Sequence, residues 1–381
     1  MINKKIKEKP IYKFLFTLTI ASAVGLQGWR TIFNNFAVEE VGINGFWVGI
    51  IQSVREVPGF LALLVIYLLF IFKEHKLSTL SILMLGIGVA LVGFFPSNWG
   101  LIFTTLLMST GFHYFETTNQ SLTLQYFNKK ESAIVMGRFK SISALSNIGI
   151  GVTIWILSQF ISMKYLFLII GVVVIMMGLR TLFIDPSDNT LPKQRKKMIL
   201  RKRYWLFYVL NFLAGARRQI FVVFAVFLLV EYYHFTIQMI TILFILNNFV
   251  NYLITPLIAK AINYFGERKV LSLEYFSLVF IFLAYAFVDN PWIVGFLYIL
   301  DHMFFNFSIG IKTYFQKTAD PKDIAPSMAV SFTINHITAV FLPFVGGIFW
   351  MMDRKIPFVV GAALSIVSLI FVQLIRIKEK S

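Results

Sequence analysis

Two arginines stand where charge is costly. Arg30 lies past the middle of one long apolar run and Arg218 near the middle of another. A charged side chain near the centre of a bilayer costs at least ~2.5–3.5 kcal/mol on insertion scales, so such a residue faces the protein interior and has a role there. Beside Arg30, the residues Gln27, Arg30 and Asn34 fall at i, i+3 and i+7, which makes one polar stripe on a helix. Beside Arg218, Arg217 and Gln219 add further polar atoms. A guanidinium is a planar fork that grips carboxylate or phosphate through two oxygens, so two of them converging on one cavity point to an anion between them. The competing reading is that internal carboxylates such as Glu56, Glu116 or Asp301 neutralise them, and the residues leave both open.

Other intramembrane polar groups suggest proton coupling and gating. His113, Glu116 and Gln120 are spaced i, i+3, i+7, with Thr117 on the adjacent track. A carboxyl in low dielectric can exchange a proton as its surroundings change, so Glu116 is a candidate coupling group. A salt bridge from Glu116 to Arg30 or to the basic residues of the next run is the structural alternative. Asp301 and His302 form a second candidate, with Asp301 expected toward the external side. Arg55 and Glu56 precede Pro58 and Gly59, which permit a kink. Adjacent helical residues point about 100° apart, so these two are not expected to pair with each other. Asn247, Asn248, Asn251, Asn335 and His336 either tie helices together or line a cavity. No two histidines stand at i, i+4, so no metal site is expected.

The elements that position these groups are membrane helices. The chain has 381 residues, of which 58% are hydrophobic and 14% charged, with a mean hydropathy of +0.76. Soluble domains carry about 25% charged residues. Apolar runs long enough to span a bilayer recur throughout, at about 12–38, 46–72, 77–95, 99–126, 134–160, 163–184, 204–231, 236–262, 268–289, 292–317, 325–351 and 355–376. Continuous runs exclude a transmembrane β-barrel, which needs alternation. There is no cysteine, hence no disulfide or thiolate-held metal. The basic start leads into a run too long for a signal peptide and is read as a retained first helix. The net charge of +17 reports topology rather than nucleic-acid binding. Lys and Arg gather at both termini, in every second loop and in the segment 185–203, while VEEVGING, FPSNWG, LVEYYHF and VDNPW hold none. Lys164 and the pair Arg354–Lys355 are the exceptions. Both termini and the central loop are therefore expected in the cytoplasm, with the chain in the inner membrane.

The chain also repeats itself. RTIFNNFAV at 30–38 and RQIFVVFAV at 218–226 agree at six of nine positions, at an offset of 188. The same offset pairs Phe127 with Phe315, Lys129 with Lys317, Ser143 with Ser331 and Asn147 with Asn335. It sets Glu116 against Phe304, which leaves that acid without a counterpart, and it places Arg30 and Arg218 at pseudo-symmetric positions facing each other across two halves. The expected fold is an all-α membrane protein of twelve transmembrane helices in two six-helix bundles: 1–184, a basic linker 185–203, and 204–381.

Between spans eight and nine the sequence reads Asn263-Tyr264-Phe265-Gly266-Glu267-Arg268-Lys269. With the twelve spans and two parallel halves, this loop resembles the major facilitator superfamily. The resemblance implies that Asn263, Gly266, Arg268 and Lys269 stabilise one gating state. The corresponding loop of the first half, FIFKEHKLS, lacks the glycine and the acidic start. Arginines paired in the first and seventh helices are also similar to those of the organophosphate:phosphate antiporters within that superfamily.

The expected function is secondary active transport of a small anionic organic or phosphorylated solute by alternating access. Arg30, Arg218, Gln27, Asn34, Arg217, Gln120 and Asn335 are the expected solute contacts. Glu116, His113, Glu56, Arg55, Asp301 and His302 are expected to serve coupling, by protons, or gating. The alternatives are proton-coupled export of a hydrophobic or lipid-like compound, and a non-transporting sensor or assembly partner. No GxxxxGK[ST] loop is present, so ATP hydrolysis is not expected, nor an enzyme activity, a cofactor or a nucleic-acid partner. A monomer in the lipid bilayer is expected.

Overall fold

In lipid no water is available to satisfy backbone N–H and C=O groups, so each apolar run must close its own hydrogen bonds as a helix. The computed structural model describes residues 4–69, 71–127, 129–186, 201–320 and 323–376, and these hold helices and no strand. After a short helix, Lys4–Glu8, twelve spans follow. The first six are α1 (Pro10–Glu39), α2 (beginning Gly45–Phe60), α3 (Glu74–Leu91), α4 (Asn98–Tyr126), α5 (Lys129–Leu157) and α6 (Met163–Thr181). The second six are α7 (beginning Trp205–Ile220), α8 (Ile237–Phe265), α9 (Glu267–Phe287), α10 (beginning Pro291–Phe305), α11 (Ile324–Met352) and α12 (Ile356–Val372). Among the described residues, eight helices are long and apolar enough to cross a membrane. The segment 185–203 expected as a linker lies mostly outside the described residues.

Three spans are not continuous α-helices. Span α2 contains Pro58, then tightens into a 3₁₀ turn (Leu61–Leu64) before Val65–Leu68. Span α7 passes through a π turn, Phe221–Ala225, before ending in Val226–Glu231. Span α10 passes through a 3₁₀ turn, Asn306–Ser308, into Ile309–Thr318. All three breaks fall within a few residues of intramembrane charges: Arg55 and Glu56, Arg217 and Arg218, and Asp301. Such irregular turns inside helices frequently mark functional positions.

The chain forms two compact units. The first comprises Met1–Gly42, Val54–Gln194 and Thr236–Ile245; the second comprises Ile43–Ser53, Arg195–Phe235 and Leu246–Ser381. In the first unit small residues let helices approach closely. A Cβ on Gly88 would lie 2.4 Å from the backbone nitrogen of Met108, and one on Gly111 2.3 Å from the carbonyl of Ser81. Buried hydroxyls add ties there, Ser78 to Thr118 at 2.7 Å and Thr79 to Thr181 at 3.0 Å. The second unit packs on aromatic rings: Phe207 stacks on Phe315 at 3.9 Å, and Phe224 on Trp350 at 5.6 Å.

Each unit joins its first and fifth helices at one end by an ion pair. Lys9 meets Glu131 at 3.3 Å in the first. In the second, Asp323 accepts from Arg201 at 3.1 Å, Arg203 at 2.5 Å and Tyr204 at 2.9 Å. Eighteen positions separate Tyr12 from Arg30 but fourteen separate Tyr204 from Arg218; sixteen separate Glu131 from Asn147 but twelve separate Asp323 from Asn335. Both partner helices of the first unit are thus longer by four residues, one turn or about 6 Å. The pair stays at the tip because both helices lengthened together.

The three basic exceptions to the charge pattern share one environment. Lys164 sits over the ring of Phe94 at 4.5 Å, Arg354 over Tyr232 at 3.6 Å and Lys355 over Phe287 at 5.4 Å. Arg354 also reaches Asp289 at 4.0 Å. An aromatic face offers a cation partial compensation that a bare loop does not.

Candidate functional site

The polar centre of the second unit is built by α7, α9 and α10. Arg217, twelve residues into α7, is 3% exposed; Glu274 on α9 is 2% exposed and Asp301 on α10 is 3% exposed. Asp301 lies ten residues, about 15 Å, inside the start of α10. It therefore joins this buried cluster well inside the helix. Arg217 approaches Glu274 at 3.8 Å, donates from Nε to the carbonyl of Leu213 at 3.3 Å and lies 4.1 Å over the ring of Tyr275. Among the described residues, Arg217 Nη1, Glu274 Oε2, Asp301 Oδ2 and the hydroxyls of Tyr275 and Tyr285 are buried without a hydrogen-bond partner. Unsatisfied buried polar atoms are costly, so a group of them in one place signals a water, proton or ligand site. Arg217, Glu274 and Asp301 border a narrow cleft with Phe221, Phe305 and Arg218, which is exposed and lies 5.0 Å over the Phe305 ring.

Counting formal charges, the cleft holds two carboxylates and two guanidiniums. It is neutral when all are ionised and carries one positive charge when one carboxyl is protonated. Glu274 was absent from the sequence-based candidates. The signal was present, an acid inside the apolar run LSLEYFSLVF, and the rule that isolates intramembrane charges selects it. Of two other candidates of this unit, His302 lies beside the cleft and Asn335 at the contact of α11 with α7. His302 packs its ring against Phe221 at 4.7 Å and Tyr298 at 4.9 Å. Asn335 donates to the carbonyl of Ser331 at 3.3 Å and occupies the space over Gly215, where a Cβ would lie 2.4 Å from its Oδ1. It ties α11 to α7.

The first unit places Arg55 and Glu56 in its interior and pairs them, contrary to the sequence expectation. Arg55 donates to Glu56 Oε1 from Nη2 at 2.7 Å and from Nε at 3.1 Å. A guanidinium on its long stem can wrap around one step of helix and so reach the carboxylate next to it in sequence. Arg55 also lies 5.9 Å from the ring of buried Trp29, and its carbonyl accepts from Ser109. Arg30 is half-buried on α1. Gln27 donates to Thr31 at 3.4 Å, and Asn34 is buried. His113 is buried, while Glu116 and Gln120 are exposed, so the stripe on α4 does not share one environment. Among the described residues Glu116 forms no ion pair.

The loop before α9 turns at Gly266, whose φ of +81° suits glycine. Its working residue is Glu267, which the sequence-based list passed over. Glu267 is 1% exposed and holds Lys317 at 2.6 Å. Arg268 donates to Gln373 at 3.1 Å; Asn263 and Lys269 are exposed. In the first unit Glu74, like Glu267 the first residue of its helix, accepts from Gln125 at 2.8 Å.

The profile of the Major Facilitator Superfamily matches residues 15–343. Two transporters of known structure have the same fold. The nucleoside transporter NupG is 15% identical, with a TM-score of 0.78 over 96% of this chain and 99% of that one. A bacterial homologue of the human lysosomal transporter Spinster, inward-facing and occupied, is 11% identical, with a TM-score of 0.71 over 96% of each chain. None of the curated proteins matches the sequence.

Proposed function

Starting from the chain's membership of the major facilitator superfamily, a family of secondary transporters, we propose that it moves a small organic anion across the inner membrane together with a proton. The observation that carries this reading is the buried set Arg217, Glu274 and Asp301, with Arg218 exposed beside it. Protonation of one carboxyl gives the cleft a positive charge, which an anion at Arg218 cancels. Loss of the proton restores neutrality within the protein and releases the anion. Such a cycle carries proton and anion together because neither charge is stable alone in low dielectric. Arg30 extends the same role to the first unit.

Reconstituted protein should take up a phosphorylated sugar or a dicarboxylate faster when the side of addition is acidic. Arg218→Ala should abolish that uptake, and Glu274→Gln or Asp301→Asn should remove its response to ΔpH. Uptake that ignores ΔpH in the unaltered protein, or survives Arg218→Ala, overturns the proposal. A second reading follows from Phe221 and Phe305, which border the cleft. Aromatic faces beside carboxylates suit an uncharged solute with a flat ring and several hydroxyl or N–H donors, a chemistry that nucleosides share. Uptake of a nucleoside, with none of the anions transported, selects that reading.

A further inference from the structure

Each unit buries one arginine against one carboxylate and one aromatic ring, but the balance differs. In the first unit Arg55 is hydrogen-bonded twice to Glu56, at 2.7 Å and 3.1 Å, and its ring partner Trp29 is 5.9 Å away. In the second the order is reversed. Arg217 is 3.8 Å from Glu274, beyond hydrogen-bond reach, and 4.1 Å above the ring of Tyr275, which is fully buried. Arg55 is therefore locked by its acid, whereas Arg217 rests on a ring. Glu274 and Tyr275 are consecutive on α9, so one short segment supplies both the charge and the platform.

We infer that Tyr275 is a positioning residue: its ring holds the Arg217 guanidinium between Glu274 and Asp301 whether or not a carboxyl there carries a proton. The inference rests on the proton-coupled reading of the same cleft. Glu274 on α9 and Asp301 on α10 border the cleft with Arg217 and Arg218, Tyr275 on α9 lies against Arg217, and His302 on α10 packs on Phe221 at the cleft's edge. Attraction to a face of π-electrons does not depend on whether a neighbouring acid is ionised, whereas an ion pair does. Without the ring, the guanidinium closes onto the carboxylates and competes with the proton for them.

The test compares Tyr275→Phe with Tyr275→Leu in the full-length protein. In proteoliposomes Tyr275→Phe should keep the pH profile of uptake. Tyr275→Leu should need about tenfold more protons for half-maximal uptake, a shift of about one pH unit downward. An unchanged profile in Tyr275→Leu overturns the inference. An equal shift in both variants also overturns it, since the hydroxyl rather than the ring would then matter. A measurement independent of transport guards against failure of the coupling reading itself. The loss of thermal stability caused by Tyr275→Leu should shrink by at least half in an Arg217→Met background, because the ring acts through the guanidinium. An equal loss in both backgrounds rules the platform out, even if proton coupling stands. Uptake that ignores ΔpH in the unaltered protein, with the stability coupling intact, removes the coupling reading and leaves the platform.

Discussion

Side chains in this protein are sorted by what compensates their charge. Arg55 has a carboxylate at hydrogen-bond distance, Glu267 has Lys317, and Lys164, Arg354 and Lys355 have aromatic faces. Removing one member of a buried pair leaves the other charge uncompensated, which costs about 3–5 kcal/mol. Glu56→Gln should therefore lower the melting temperature strongly. The double change Arg55→Met with Glu56→Met should recover most of that loss, as it removes both charges. Gly266 marks a different constraint. Its φ of +81° is unfavourable for a residue with a Cβ, although the space around it is open. Gly266→Ala should cost about 1–3 kcal/mol through backbone strain alone, because φ +81° with ψ 158° is a region essentially reserved for glycine, measurable as a drop in melting temperature without any repacking.

Among the elements, the ends of the first and fifth helices of each unit behave as a joint. The joint of the second unit is the stronger. Asp323 receives three donors, and it is buried where Glu131 is half-exposed and meets one lysine. Burial pushes the Asp323 carboxyl up, but hydrogen bonds from Tyr204, Arg201 and Arg203 outweigh it and hold the group below the usual carboxylate range. A depressed value means that the folded protein stabilises the ionised form. That contribution is fully present above the ordinary aspartate value of about 3.9 and is lost as pH falls through the lower folded value. Asp323→Asn should lower the melting temperature at pH 7, and its difference from the unaltered protein should fade below about pH 4. A difference that persists there assigns the effect to packing. The one-turn extension of α1 and α5 makes a complementary case, since deleting four residues from α1 alone moves Lys9 away from Glu131, and deleting four from both restores the pair.

For the molecule as a whole, topology is the most directly testable property. The absence of cysteine makes single introduced cysteines unambiguous reporters. A cysteine at Ser97 or Asp353 should react with a membrane-impermeant thiol reagent added outside intact cells. One at Lys269 or Ser272 should react only after permeabilisation. The reverse pattern inverts the proposed orientation and with it the direction of the proton gradient that the cleft meets.

Sequence alone determined the class of fold, because apolar length is a local property: a run of about twenty residues without water must become a helix wherever it stands. It also determined which residues to question, since charge inside such a run is costly whatever its neighbours. Arg217 and Asp301 were legible in that way, and Glu274 was equally legible but overlooked. What tertiary structure decided was partnership. Periodicity reports which face of one helix a residue occupies, and partnership depends on which other helix comes to that face and at what height. Hence Arg55 was expected apart from Glu56 and is bound to it, and Glu267 rather than its basic neighbours takes the buried ion pair. Arg217 rests on the ring of Tyr275, a residue that in sequence reads as one more aromatic in an apolar run. Of the arginines that opened the sequence reading, Arg30 is half-buried on α1 and Arg218 is exposed on α7, whereas Arg217, one residue before Arg218, is the one enclosed with its acids.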